Sequence, residues 1–154
     1  MLLPSTDLDV CELFKISLFI ALVIFISKST SADIRLTSNN YEIHYSIVPT
    51  LFLSRDVSRQ YSITRAKDRS FLNLSIKDPS KNSVKTQLSG SRSNLLGQSV
   101  ELNFKEIQEA DVIYYIANIK HGKEEHLKFS IQLQLSSENM EILEFRKKLY
   151  WGEE

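Results

Sequence analysis

Of the 154 residues only one is a cysteine, Cys11, and everything from Asp33 onward has none. No disulfide can staple that part of the chain, and thiolate metal sites are excluded with it. Glycine (4 residues) and proline (3 residues) are almost as scarce. No Gly/Ser-rich or Pro-rich linker and no internal repeat marks a second domain. Gly90 through Gly97 does not close on Gly-Lys-Ser/Thr, so no phosphate loop is present. Excess charge of either sign is also missing, with 19 basic and 19 acidic residues. Setting aside Lys15, Lys28, Asp7, Asp9 and Glu12 leaves 17 basic against 16 acidic residues after position 32. Such a balance supplies no long-range field for nucleic acid, and no nucleic-acid partner is expected. Long apolar runs are absent as well. The longest, Ile16–Ile26, covers about half of a roughly 30 Å hydrocarbon core at about 1.5 Å per residue.

That short run takes its meaning from its carboxyl-terminal flank. Ser27-Lys28-Ser29-Thr30-Ser31-Ala32 places small Thr30 and Ala32 where a signal peptidase inspects the chain. Residues 1–32 are therefore expected to be a signal peptide, and 33–154 a single exported domain. An uncleaved segment anchoring the domain at the inner membrane is the alternative, and the only membrane contact expected. Cys11 precedes the run, so it is not a lipoprotein cysteine. The leading segment carries Asp7, Asp9 and Glu12 against Lys15, a charge order unfavourable for export. Initiation at Leu13 would remove that conflict and begin the segment with Phe14-Lys15.

After residue 40 the dominant period is two, the period of a strand. Tyr41, Ile43, Tyr45 and Ile47 alternate with Glu42, His44 and Ser46. The pattern recurs at Leu72–Ile76, Val84–Leu88, Val100–Phe104 and, most clearly, Leu127–Leu135. Val112–Lys120 is apolar on both faces, which suits a central strand or one with a covered outer face. In the last run, Ile142–Trp151, Lys147 interrupts the apolar side, as at a bulge or a sheet edge. Turn signals fall at Asp78-Pro79-Ser80, Gly90-Ser91, Asn94 with Gly97, Glu109-Ala110-Asp111, His121-Gly122 and Ser136–Asn139. One short helix is expected over Arg55–Tyr61, capped by Ser54. About seven strands predict an all-β, antiparallel, immunoglobulin-like β-sandwich, with a small closed barrel as the alternative.

Several runs are familiar as an ordered set: Asn40–Tyr45, Tyr61–Arg69, Asn73–Ile76, Asn94–Gln98, Val112–Ala117 and Leu149-Tyr150-Trp151. Together they resemble the domain-of-unknown-function family numbered 4426, small exported proteins of Gram-negative bacteria. The resemblance covers nearly all of the chain after the signal segment. It implies a periplasmic or envelope location and supplies no catalytic residue. Ser38-Asn39-Asn40 departs from a Gly-Asp pair that the family more often shows, so a tight turn there is not carried over.

The residues themselves offer few sites. Arg65, Lys67 and Arg69, with Arg55 and Arg59 upstream, would form a basic ladder if extended, suited to an anionic ligand or an acidic envelope protein. His121 and His126 flank Gly122–Glu125; across a hairpin they would hold zinc or copper with Glu124 or Glu125. Against that reading stands an ordinary turn with two exposed histidines, and no cofactor is expected. Glu42 and His44 share a strand face but have no marked nucleophile, and no Gly-x-Ser-x-Gly elbow occurs. Asn94-Leu95-Leu96-Gly97 reads as a structured turn, with Asn94 bonded to backbone, Gly97 at positive φ and the leucines tucked inward. Tyr114 and Tyr115 place one phenol on each sheet face. With no converging acid, base and nucleophile, a non-enzymatic exported binding module is the leading reading.

Overall fold

The computed structural model describes residues 33–36 and 40–152. The expectations for 1–32 (signal peptide, cleavage after Ala32, initiation at Leu13) lie outside the described residues. The elements run β1 (Asp33–Leu36), β2 (Glu42–Pro49), α1 (Arg55–Gln60), β3 (Arg69–Lys77), β4 (Gln87–Asn94) and β5 (Ser99–Glu101). They continue with β6 (Phe104–Glu109), β7 (Val112–Lys120), β8 (Glu124–Gln134) and β9 (Met140–Tyr150). One sheet has the order β1-β2-β3-β7-β6 and the other β5-β4-β8-β9. Every ladder is antiparallel. The fold is the expected immunoglobulin-like β-sandwich rather than a closed barrel.

Alternation becomes burial along these strands. Leu72, Leu74 and Ile76 of β3 face Leu127, Phe129, Ile131 and Leu133 of β8 in one apolar core that also takes in Ile43, Tyr115, Ala117, Ile119, Leu143 and Leu149. Each fully buried side chain of this size contributes about 1.5–3 kcal/mol. An aromatic stack crosses between the sheets. Tyr45 of β2 lies 4.4 Å from Phe145 of β9, and Phe145 lies 4.7 Å from Phe129 of β8. This stack fixes β2 over β9. β7 sits between β3 and β6, with Tyr114 and Ile116 half-buried on its outer face, which accounts for its two apolar sides.

Among the described residues there are nine strands where about seven were expected, for identifiable reasons. The amino-terminal lead supplies β1, paired with Glu42–Tyr45. Val100–Phe104 is not one strand. It divides into β5 and β6 on opposite sheets, and Leu102 is buried at the crossing. Gly90-Ser91 is not a turn but lies inside β4. A Cβ on Gly90 would stand 2.7 Å from the Ser130 carbonyl oxygen, so this glycine marks a close approach of two strands. α1 forms as expected, with the Ser54 hydroxyl accepting the Val57 N–H at 3.2 Å. Phe71 points away from the core parity of β3 yet is buried, as is Ile63. The Lys105 ammonium, on the same outer face, bonds the Tyr61 carbonyl at 3.3 Å, which brings the α1 segment over this face.

Candidate functional site

The basic residues singled out by the sequence do not form a ladder. A turn at Lys67-Asp68 precedes β3, so Arg65, Lys67 and Arg69 take separate positions. Arg65 is half-buried and donates to the Leu51 carbonyl at 2.9 Å. Arg69 opens β3, and its carbonyl accepts from the Thr50 hydroxyl at 3.1 Å. The same hydroxyl lies 3.1 Å from the Ala66 carbonyl and accepts the Ala66 N–H at 3.0 Å. Arg65 and Arg69 thus belong to a frame that fixes the loop. Only Lys67 is exposed, with its ammonium 4.6 Å above the Trp151 ring.

The histidines are also separated. β7 and β8 lie in different sheets, so His121-Gly122 begins a crossover, not a hairpin. His121 is 5% exposed, with Nδ1 2.9 Å from the Gly122 carbonyl and Nε2 3.0 Å from the Ser70 hydroxyl. In the neutral ring, Nδ1–H donates to the carbonyl and Nε2 accepts from Ser70. Both ring nitrogens are therefore occupied. His126 is exposed on β8 opposite Lys148, and Glu125 is held by the Gly122 N–H at 2.8 Å. Among the described residues no group of three or more His, Cys, Asp or Glu is placed to hold a metal ion.

Glu42 and His44 do share a face. His44 Nε2 is 3.4 Å from Glu42 Oε2 and makes no directed hydrogen bond. Lys81 takes the other Glu42 oxygen and holds that carboxyl below the ordinary carboxylate range. In the Asn94–Gly97 turn, Asn94 Oδ1 accepts the N–H groups of Leu96 and Gln98 at 3.0 Å each, and Gly97 has φ +77°. Its leucines point outward instead of inward, at 83% and 84% exposure, because they sit at the tip of the β4–β5 hairpin, beyond the last pair Ser93–Ser99.

A different feature gathers at one end of the sandwich. Among the described residues β1 begins at Asp33, at the register of Tyr45, while β2 continues to Pro49. Past the Tyr45–Phe145 stack, a groove of about 500 Å³ opens between Ile47 and Pro49 of β2 and the run Lys147–Gly152. Ser70 and Phe52 complete its lining. Phe52 is 69% exposed. Lys147 has the inward parity of Phe145 and Leu149; β9 is the outer strand of its sheet, which is where an inward charge was expected. Trp151 forms a fixed wall. Its backbone N–H donates to the Lys123 carbonyl at 3.0 Å, and its indole N–H reaches the His121 carbonyl at 3.4 Å. The Gly152 N–H donates to the Lys67 carbonyl at 2.9 Å. Lys148 pairs with Glu124, which raises the lysine and lowers the carboxyl.

The sequence did not reveal this groove. Ser70 and His121 are 51 positions apart, and no short motif links them. Phe52 and Trp151 read as isolated aromatics, and only the parity of Lys147 hinted that β9 ended beside an opening.

The family model described as "Domain of unknown function (DUF4426)" matches residues 36–152. A crystal structure of a DUF4426 family protein from Pseudomonas aeruginosa PAO1 is similar with a TM-score of 0.70 at 23% identity, covering 79% of this chain and 97% of that one. FetP of uropathogenic Escherichia coli strain F11, recombinantly expressed in the periplasm of E. coli, is similar at TM-score 0.55 and 15% identity, covering 81% and 97%. A copper-bound variant of that FetP is similar at 0.53 and 16%, covering 79% and 97%. No curated protein matches the chain.

Proposed function

We propose, since the chain belongs to the DUF4426 family, that it is an exported envelope protein serving as a binding module. The groove between β2 and β9 is its binding surface. The observation that carries this reading is the wall chemistry: apolar Ile47, Pro49 and Leu149, exposed Phe52 and Trp151, and an inward lysine, Lys147. Apolar lining with a few placed polar groups is the usual composition of a ligand site. Lys67 adds a cation at the rim, while Arg65 and Arg69 stiffen the loop that presents it. Export rests on Ile16–Ile26 and Thr30-Ser31-Ala32. Among the described residues no helix is long and apolar enough to cross a membrane. Two experiments test the proposal. Amino-terminal sequencing of the protein from a periplasmic fraction should begin at Asp33; recovery only in the cytoplasm, starting at Met1, refutes export. Titrating the ¹⁵N-labelled protein with fractionated envelope extract should move the amides of Lys147–Gly152, and an unresponsive groove refutes the binding surface.

A second reading has one specific observation behind it. Ser70 lines the groove, and its hydroxyl contacts His121 Nε2 at 3.0 Å, the geometry of a nucleophile and its base. The third position is taken by the Gly122 carbonyl instead of a carboxylate, and Ser70 is 2% exposed. Labelling of Ser70 by a fluorophosphonate would favour acyl-transfer chemistry, and its absence would leave the pair as a structural bond. A metal-carrier reading through His121 and His126 has less support, since both nitrogens of His121 are bonded within the protein.

A further inference from the structure

We infer that the groove takes an extended polypeptide segment of alternating acidic and apolar residues, added as a further strand along the outer edge of β9 over Arg146–Tyr150. The inference rests on the groove being the binding surface and adds the class of ligand. Three observations converge on it. The first is the backbone. β9 is 11 residues long and pairs with β8 over its whole length, but among the described residues no strand lies on its other side. Main-chain donors and acceptors along such an edge are a template for another strand.

The second is the slot. The five-stranded sheet extends one strand, β1, beyond the position of β2 over β9. Within the described residues β1 pairs with Glu42–Tyr45 and begins at the register of Tyr45, the residue stacked on Phe145. Beyond that level Ser46–Pro49 of β2 has no partner on that side among the described residues, and the groove opens there. A strand laid along Arg146–Tyr150 would send alternate side chains inward against Ile47, Pro49 and Leu149. Its other side chains would lie beside Arg146 and Lys148.

The third is charge. Arg146, Lys147 and Lys148 are consecutive on this edge. Arg146 and Lys147 are exposed and make no ion pair within 4.0 Å among the described residues, although the Arg146 charge helps lower the Glu144 carboxyl. Lys148 holds Glu124. Opposite charges on neighbouring strands stabilise their pairing, and a basic stretch selects an acidic strand.

The probes are two capped hexapeptides, (Glu-Val)₃ and (Lys-Val)₃, about 20 Å long when extended. Each is titrated into the ¹⁵N-labelled protein in the form recovered from cells. The acidic peptide should shift the amides of residues 146–150, slow their hydrogen exchange, and bind about tenfold more tightly than the basic one. N-methylating alternate residues of the acidic peptide should abolish binding, since the added strand then lacks its main-chain donors. Arg146→Glu with Lys147→Glu should reverse the preference between the two peptides. Equal binding of both peptides, an unchanged preference in the double variant, or full binding by the N-methylated peptide overturns the inference. So does concentration-dependent dimerisation that protects residues 146–150, which would assign the edge to a second copy. A groove that responds to envelope extract but to neither peptide removes this ligand class and leaves the binding module standing. A groove that responds to nothing removes both.

Discussion

The two ends of this sandwich use similar bonds for opposite results. At the end near the start of β4, one residue joins the sheets: the Thr86 N–H donates to the Tyr115 hydroxyl at 2.8 Å, and the Thr86 hydroxyl bonds the Gln134 carbonyl. Tyr115 belongs to the five-stranded sheet and Gln134 to the four-stranded sheet, so the layers are tied directly. At the other end the buried polar bonds of Thr50, Ser70 and His121 tie loops to β3 and to one another. β9 is secured there through Trp151, but among the described residues no strand closes its outer edge. The lesson is that buried hydrogen bonds alone do not seal a sandwich. A strand must also lie beside each edge, and among the described residues none lies beside β9.

The comparison would break first in the middle, which both ends share. Phe129 is fully buried and stacked on Phe145. Phe129→Ala should cost about 3–5 kcal/mol, read as a fall in the urea midpoint. A cost below about 1 kcal/mol would mean that the stack does not hold β8 to β9. Next comes the sealed end. Tyr115→Phe leaves the Thr86 N–H without its acceptor in a buried site and should cost about 1–3 kcal/mol. Hydrogen exchange at Thr86 should speed up in that variant while the groove amides stay unchanged. The open end should be the most tolerant. Trp151 is 36% exposed and contributes one long indole bond and a cation–π contact with Lys67. Trp151→Ala should cost about 1 kcal/mol in stability yet abolish ligand-induced shifts across Lys147–Gly152. If instead it unfolds the protein, the two ends are mechanically equivalent and the contrast fails.

Much of the fold was legible because alternation maps directly onto burial. Leu127 to Leu135 alternates without a break, and each of those apolar positions is buried, Leu127 to Leu133 within β8 and Leu135 just past its end. Ser54 announced α1 because an N-cap is a local bond, three residues in reach. What stayed hidden depended on distant partners. Gly90 looks like a turn until Ser130 is placed beside it, because a glycine marks close approach and tight turning with the same symbol. Val100–Phe104 alternates smoothly across a change of sheet, since parity carries no information about which sheet a strand joins. Arg65, Lys67 and Arg69 read as a ladder only if the backbone is extended, and the Lys67-Asp68 turn removes that premise. The groove lay furthest out of reach. It is lined by Ile47 and Pro49 of β2 against Lys147–Gly152, about a hundred positions apart, and a register is a property of two segments.

The smallest expected effect separates surface charge from both ends. Glu42, Asp78, Glu124 and Glu144 are held below their ordinary values, chiefly by hydrogen bonds from Lys81, the Asn82 backbone, Lys148 and Lys128 respectively. A carboxyl lowered on folding stabilises the native state above its unfolded value, 4.5 for Glu and 3.8 for Asp, and that contribution is lost as pH falls through the folded value. Lys85 and Lys148 are raised above 10.5, mainly by Glu106 and Glu124, so their contribution is full below that value and lost as pH rises through the folded one. Stability should therefore be flat between about pH 5 and pH 10 and decline on both sides. These groups lie at the surface, where ion pairs are weak and screened. At 1 M salt the Debye length is about 3 Å, and the acid decline should flatten. The cost of Phe129→Ala should be the same at both ionic strengths, because no charge takes part in it. Urea midpoints measured across pH in low and high salt check both statements together. An acid decline that persists unchanged in 1 M salt would show that these surface carboxylates and their lysine partners are not its origin.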